Sequence, residues 1–236
     1  MFSNTGILTK FFLRRDRISS TIWIFGILAM TLSIAYAFPG IFETEEERIV
    51  LVEMMQSPAM VAMLGPAYGS ENGIDGYTNG AMMSNMMLLF TIIAVVIMNI
   101  FLVVKHTRKD EEAGRIEVIR SLPVGRLSNL SATMVVCIIT NTILALLTGL
   151  GLYALQVEGM DLYGSFFYGM ALGISGILFA TITAVFCQLA SNSRGAVGYS
   201  FSILGLSYLL QAGGASNEIL SYISPLRFNY EITSIC

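Results

Sequence analysis

The sequence predicts an all-α integral membrane protein: a polytopic helical bundle of about five transmembrane helices, opened by an amphipathic N-terminal helix and interrupted by one charged elbow. Three observations predict this. Only 12% of the 236 residues are charged and 55% are hydrophobic, whereas a soluble domain carries about 25% charged residues. The apolar residues fall in long runs, most of them near the ~20 residues needed to cross the hydrocarbon core. The basic residues gather in alternate connections, the pattern that sets membrane orientation.

The same composition excludes other classes. A net charge of −3 leaves no basic footprint for nucleic acid. Cys137 and Cys187 lie in apolar runs and Cys236 at the end, so neither a disulfide framework nor a metal site is expected. The N-terminus lacks the short apolar core and small-residue cleavage site of a signal peptide.

Residues 1–19 read as a cytoplasmic amphipathic segment, with Phe11, Phe12 and Leu13 toward the bilayer and Lys10, Arg14, Arg15 and Arg17 at headgroups. The transmembrane domain covers 20–226, and its first span runs from about 20 to 38, ending at Pro39-Gly40. Trp23 and Tyr36 sit near its ends as interface aromatics. Residues 41–80 form a long polar loop. A helix is expected from Glu43 to Gln56 with Ile49, Val52 and Met55 on one face, then a break at Pro58 and a turn-rich Gly/Asn/Tyr run. Further spans are expected at about 81–104, 130–155, 165–190 and 196–212, the last at the short limit. Residues 227–236 read as a tail.

The elbow, Lys105 to Arg126, carries six of the thirteen Lys/Arg residues. Gly114 permits a bend. Arg115 to Ser121 could form a short helix, and Glu111/Arg115 and Glu117/Arg120 are surface pairs by spacing. Pro123 ends that helix at Leu122, and Ser128 is placed to cap the next span. With the N-terminal segment and Arg194, these alternate connections hold eleven of the thirteen basic residues. They are therefore expected on one side, the cytoplasmic one. A plain solvated loop with an orienting role would share this composition.

No Asp, Glu, Lys, Arg or His falls inside the five expected spans, which argues against an ion-coupled carrier or an intramembrane protease. The intramembrane polar residues include Asn85, Asn99, Asn141 and Gln188. Interhelical hydrogen bonding is their ordinary role; the sharper reading lines a substrate path with them. Ser165, Gly169 and Gly173, then Gly176, Ala180 and Ala184, mark a close-packing seam. Met82, Met83, Met86 and Met87 are expected in core or lipid packing. No GxxxxGK(S/T) phosphate loop occurs.

The segment TRKDEEAGRIEVIRSLPVGR, Thr107 to Arg126, resembles the cytoplasmic elbow of ABC-2-type transporter permeases. The matching positions are Glu111, Glu112, Gly114, Arg115, Glu117, Ser121, Pro123, Val124, Gly125 and Arg126. The Gly-Arg-x-Glu form is most similar to polyketide-antibiotic or multidrug exporters of that family. The resemblance covers about residues 10–225, but only the elbow is specific.

That resemblance implies a coupling helix seated in a separate ABC ATPase subunit. Glu111, Glu112, Arg115, Glu117, Arg120 and Arg126 would contact the ATPase, and Gly114 and Pro123 would set the bend. The chain itself would bind no cofactor and catalyse nothing, with ATP held on the partner. A second permease half or a homodimer would complete the path for hydrophobic or amphipathic compounds in the cell membrane. The family's half has six spans; the five counted here lead to the expectation of an N-terminal half lacking its sixth. The alternative is a non-transporting immunity or sensor component that recruits a cytoplasmic partner.

Overall fold

A computed structural model of the chain describes residues 4–41, 44–65, 78–115, 117, 125, 127–156 and 161–214. The expected short helix over 115–121, the turn at Pro123 and the 227–236 tail lie wholly or mostly outside these residues. Helix α1 spans Thr5–Ala37. The amphipathic segment and the first span are therefore one continuous helix: nothing between Lys10 and Phe25 breaks the helical repeat. At 1.5 Å per residue it is about 50 Å long, so it projects well beyond a ~30 Å hydrocarbon core. It ends where Pro39 enters a 3-10 turn, Phe38–Gly40.

Helix α2, Glu45–Met55, is opened by a capping box in which Thr44 and Glu47 satisfy each other's backbone N–H groups. Its buried face is Leu51, Val52 and Met55, whereas Ile49 points outward, contrary to the expected stripe. Pro58 does more than break the chain: it is the first residue of α3, Pro58–Leu64, with Ser57 as the cap.

Helix α4, Asn79–Val104, starts from the Thr78 cap. It runs on through a π turn, Lys105–Lys109, and one further α turn, Asp110–Glu112. Helix α5 is Ser128–Ala154. Leu127 occupies the capping position there and Ser128 is the first helical residue, so the expected Ser128 cap is not formed. Helix α6, Leu162–Leu189, is capped by Asp161, which accepts from the Gly164 N–H at 2.7 Å. Helix α7 is Ser193–Gly214.

Among the described residues, four helical stretches are long and apolar enough to cross a membrane: Thr5–Gly40, Asn79–Glu112, Ser128–Ala154 and Leu162–Leu189. The fifth expected span forms as α7 but is not among these four, because serines and glycines dilute its apolar character. Ser200, Ser202 and Ser207 each donate to a carbonyl one turn back, so their hydroxyls are satisfied within the helix. Outward faces are apolar, as on α1 with Ile18, Ile22 and Phe25, which suits lipid contact and not water.

Helix α6 packs most extensively on α5 and next on α4, while α1 lies mainly on α5. The small-residue seam explains the first contact. A Cβ at Gly169 would run into the Ala145 carbonyl, and one at Gly173 would lie 3.1 Å from the Ala145 Cβ. Backbones approach so closely only where side chains are missing. Met82 and Met83 are fully buried core residues, as expected.

Gly169→Ala is expected to lower the thermal-unfolding midpoint of the detergent-purified protein, with an overpacking cost of about 1–3 kcal/mol. Gly198→Ala, whose Cβ would meet nothing within 4 Å, is expected to be neutral or slightly stabilising, because alanine favours helix.

Candidate functional site

The site grows from one stripe of α1. Leu8, Phe12 and Asp16 recur at helical spacing, and all three are buried. The first two belong to an apolar face, but the third is a carboxylate that is 1% exposed. A charge so shielded requires close partners. Those come from the end of α4, where the π turn carries His106 into the interior at 0% exposure and presents Lys105 beside it. Lys105 Nζ donates to Asp16 Oδ1 at 2.7 Å, and His106 Nε2 lies against Asp16 Oδ2 at ion-pair range.

Arg15 adds the next layer. Its guanidinium donates to His106 Nδ1, and it approaches Asp110 Oδ2 at 2.7 Å. Arginine has no acceptor, so Nδ1 accepts and the ring proton sits on Nε2, facing Asp16. Phe12 packs on the imidazole with ring centroids 4.4 Å apart, and Arg15 lies 5.1 Å from the same Phe12 ring. Asp110, 1% exposed, also accepts from Arg115 Nη1 at 2.8 Å. The ionic chain thus runs from Lys105 through Asp16, His106, Arg15 and Asp110 to Arg115, the first residue past the bend.

Three residue pairs fasten this junction to the remaining long helices, and a fourth contact lies within α4. Asn129 at the start of α5 donates to the His106 carbonyl at 3.0 Å. Arg108 Nε donates to the Cys187 carbonyl of α6 at 2.7 Å. Glu112 accepts from both the backbone N–H and the hydroxyl of Ser193, at 2.6 Å each, at the start of α7. Thr107 returns its hydroxyl to the Val103 carbonyl. One end of α1, α4, α5, α6 and α7 therefore meets here. The basic N-terminal segment, the elbow up to Arg115 and the Arg194 turn lie on one side of the bundle, as their alternation along the chain requires.

Two carboxylates titrate away from their usual range. Burial would raise Asp16, but hydrogen bonds from His106 and Lys105 and the Lys105 charge outweigh it and hold the carboxyl at about 2, against an ordinary 3.8. The Ser193 hydroxyl and N–H hold Glu112 below its ordinary value.

The elbow residues singled out from sequence take several places. Glu111 pairs with Arg108 at 2.7 Å and not with Arg115 as spacing suggested; Arg115 turns back to Asp110 instead. Glu112 is engaged within the chain by Ser193. Gly114 has φ +70°, a left-handed geometry that makes the bend. Glu117 is exposed. Arg120, Pro123 and Arg126 lie outside the described residues. Phe12 and Arg15 face the protein interior and each other, a correction to the expected membrane-facing Phe12 and headgroup-facing Arg15.

The intramembrane polar residues are not gathered in one place. Asn99 and Asn141 form a reciprocal buried pair, with amide contacts of 3.0 and 2.7 Å. Each amide also donates to its own helix, at Val95 and Cys137. That is the ordinary interhelical role, and Gly176 leaves the room for it. Asn85 is buried two turns into α4, and Gln188 is exposed near the end of α6.

Sequence reasoning missed Asp16, His106 and Asp110 as a cluster. One signal was present: Asp16 falls in register with Leu8 and Phe12, and an acid on an apolar stripe requires a partner. The π turn that brings the partner has no sequence mark of its own.

Asp110→Ala is expected to take the nearest carboxylate from Arg15 and Arg115 and to cost about 1–3 kcal/mol, between the surface and the buried extremes. Arg15→Gln/Asp110→Asn together are expected to cost less than the sum of the single changes, measured by thermal unfolding. Because the folded Asp16 pKa is depressed, its contribution is present above the ordinary 3.8 and lost as pH falls through about 2. Asp16→Asn is expected to flatten the unfolding midpoint over that window.

Residues 9–226 match the family described as "Multidrug efflux system permease Rv1217c, C-terminal domain". The chain is 33% identical over 235 residues to the multidrug efflux system permease protein Rv1217c of Mycobacterium tuberculosis (strain ATCC 25618 / H37Rv). The alignment covers 98% of this chain and 41% of that protein, so the chain spans about two fifths of its relative's length. The matching domain is described as C-terminal, where the sequence led to the expectation of an N-terminal half. By this match over most of its length, the chain belongs to the Rv1217c family of multidrug efflux system permeases.

Proposed function

We propose that this chain is the membrane permease part of an ATP-driven exporter of the ABC-2 type, moving hydrophobic or amphipathic compounds out through the cell membrane. ATP is held on a separate ATPase subunit, and a second permease half or a second copy completes the path. The basic end of the bundle faces the cytoplasm, where the 105–126 elbow receives the ATPase. The observation that carries this reading is the ionic junction. The stem of the elbow, itself the end of α4, is joined by directed contacts to α1, α5, α6 and α7, and those to α1, α6 and α7 are charge-assisted. A push on the elbow is thereby delivered to the ends of the helices and not absorbed in a slack loop.

The mechanism follows from two-state energetics. Closure of the ATPase biases the bundle only if its contacts with the elbow differ between inward- and outward-facing packings. Glu111 and Glu117 offer exposed carboxylates for that contact, with Arg120 and Arg126 further along the elbow. Gly114 lets the distal elbow turn while the proximal part stays fixed to α4.

Glu117→Lys is expected to lower co-purification with the ATPase subunit and ATP-dependent uptake into inverted vesicles by about tenfold, as for one lost charge pair at a desolvated interface. The unfolding midpoint should be unchanged, because Glu117 is exposed. Unaltered ATPase binding would count against the elbow as the docking element. ATP-independent vesicles with intact ATPase binding would favour a recruiting component over an exporter.

A further inference from the structure

We propose that the cavity between the end of α4 and the start of α7 binds the phosphate headgroup of an anionic membrane lipid. The cavity has a volume of about 610 Å³, within the range of small-ligand sites. Its floor is apolar, made by Phe101, Val104 and Val197, and its rim is cationic, made by Lys105, Lys109 and Arg194. Among the described residues that line it, none is acidic.

Position argues for a lipid. Phe101 and Val104 are in the last turn of the apolar run of α4, and Lys105 is the first charged residue after it. The cavity therefore straddles the boundary between hydrocarbon and headgroups. Phe101 is 46% exposed and stands edge-on to Phe201, with centroids 6.2 Å apart. These rings offer an acyl chain a surface directly beneath the cations. A soluble phosphate would use the rim and leave that surface idle. Cationic pockets between helices at this depth are where anionic headgroups are held.

The charges are available. Lys105 gives one donor to Asp16 and keeps two more, with its side chain 41% exposed. Lys109 is exposed and makes no ion pair among the described residues. Arg194 is exposed and feels Glu112 through its field. Both oxygens of the nearby Glu112 carboxylate are occupied by Ser193, a cavity-lining residue. The neighbouring Glu111 is held by Arg108. The site needs only that this end of the bundle lie at a membrane surface; it does not depend on the ATPase.

The test uses the full chain, purified from mixed vesicles of phosphatidylcholine and phosphatidylglycerol, with retained lipid counted by native mass spectrometry. The expected result is selective retention of phosphatidylglycerol, lowered roughly tenfold or more in Lys109→Gln/Arg194→Gln. The charge-preserving Lys109→Arg/Arg194→Lys should retain the lipid. A control that removes basic charge elsewhere, Lys10→Gln/Arg14→Gln, should also retain it. Equal retention by Lys109→Gln/Arg194→Gln and the unaltered chain would overturn the proposal. Equal loss in the Lys10/Arg14 control would do the same, since it would show diffuse attraction to the surface. Displacement of the lipid by millimolar glycerol 3-phosphate would reassign the site to a free phosphate ester.

Discussion

Asp16 and Asp110 are each about 1% exposed, and neither can remain ionised there without close positive or proton-donating partners. That requirement fixes much else. Asp16 draws in Lys105 and His106 from a point ninety residues later in the chain, and Asp110 draws in Arg15 and Arg115. To reach them, α4 must overrun its apolar span and widen into a π turn, because a plain α turn would carry His106 around to another face. Removing one partner leaves a buried charge uncompensated. The cluster is therefore more sensitive to single substitutions than a surface network of the same size would be.

The consequence is mechanical. Inside the bundle, α6 is held to α5 by a glycine seam and α4 to α5 by the Asn99–Asn141 pair, contacts that depend on close fit. At the basic end the proximal elbow holds α1, α6 and α7 by charge-assisted bonds and α5 by a neutral amide–carbonyl bond, all with directional geometry. The elbow leaves this rigid junction through Gly114, whose left-handed backbone is the first point of freedom. The proximal elbow belongs structurally to the bundle.

Much of this was legible in the sequence. Long apolar runs marked α4 to α7 to within a few residues, since a bilayer leaves the backbone little choice. Basic residues in alternate connections placed three segments on one side, and the small residues from Ser165 to Gly176 marked the seam. Other features were not legible. The continuity of α1 was hidden because its charged first half and apolar second half look like separate elements. The serine-rich α7 reads as a span by pattern but falls short in apolar character. The Arg15–Asp110 and Lys105–Asp16 pairs are long-range, and local spacing favoured the wrong partner for Glu111. Only Asp16, in step with Leu8 and Phe12, betrayed the cluster.

If the buried ionic junction holds, the N-terminal end of α1 and the proximal elbow move as one body. Spin labels at Arg17 and Ala113, both exposed, with Cys236 replaced by serine, allow the separation to be measured by pulsed electron resonance with the ATPase subunit present. The same distance is expected with and without a non-hydrolysable ATP analogue, and a broadened distribution once Arg15→Gln/Asp110→Asn is introduced. A nucleotide-dependent change of about 5 Å or more in the otherwise unaltered protein, the rise of one helical turn, would contradict it.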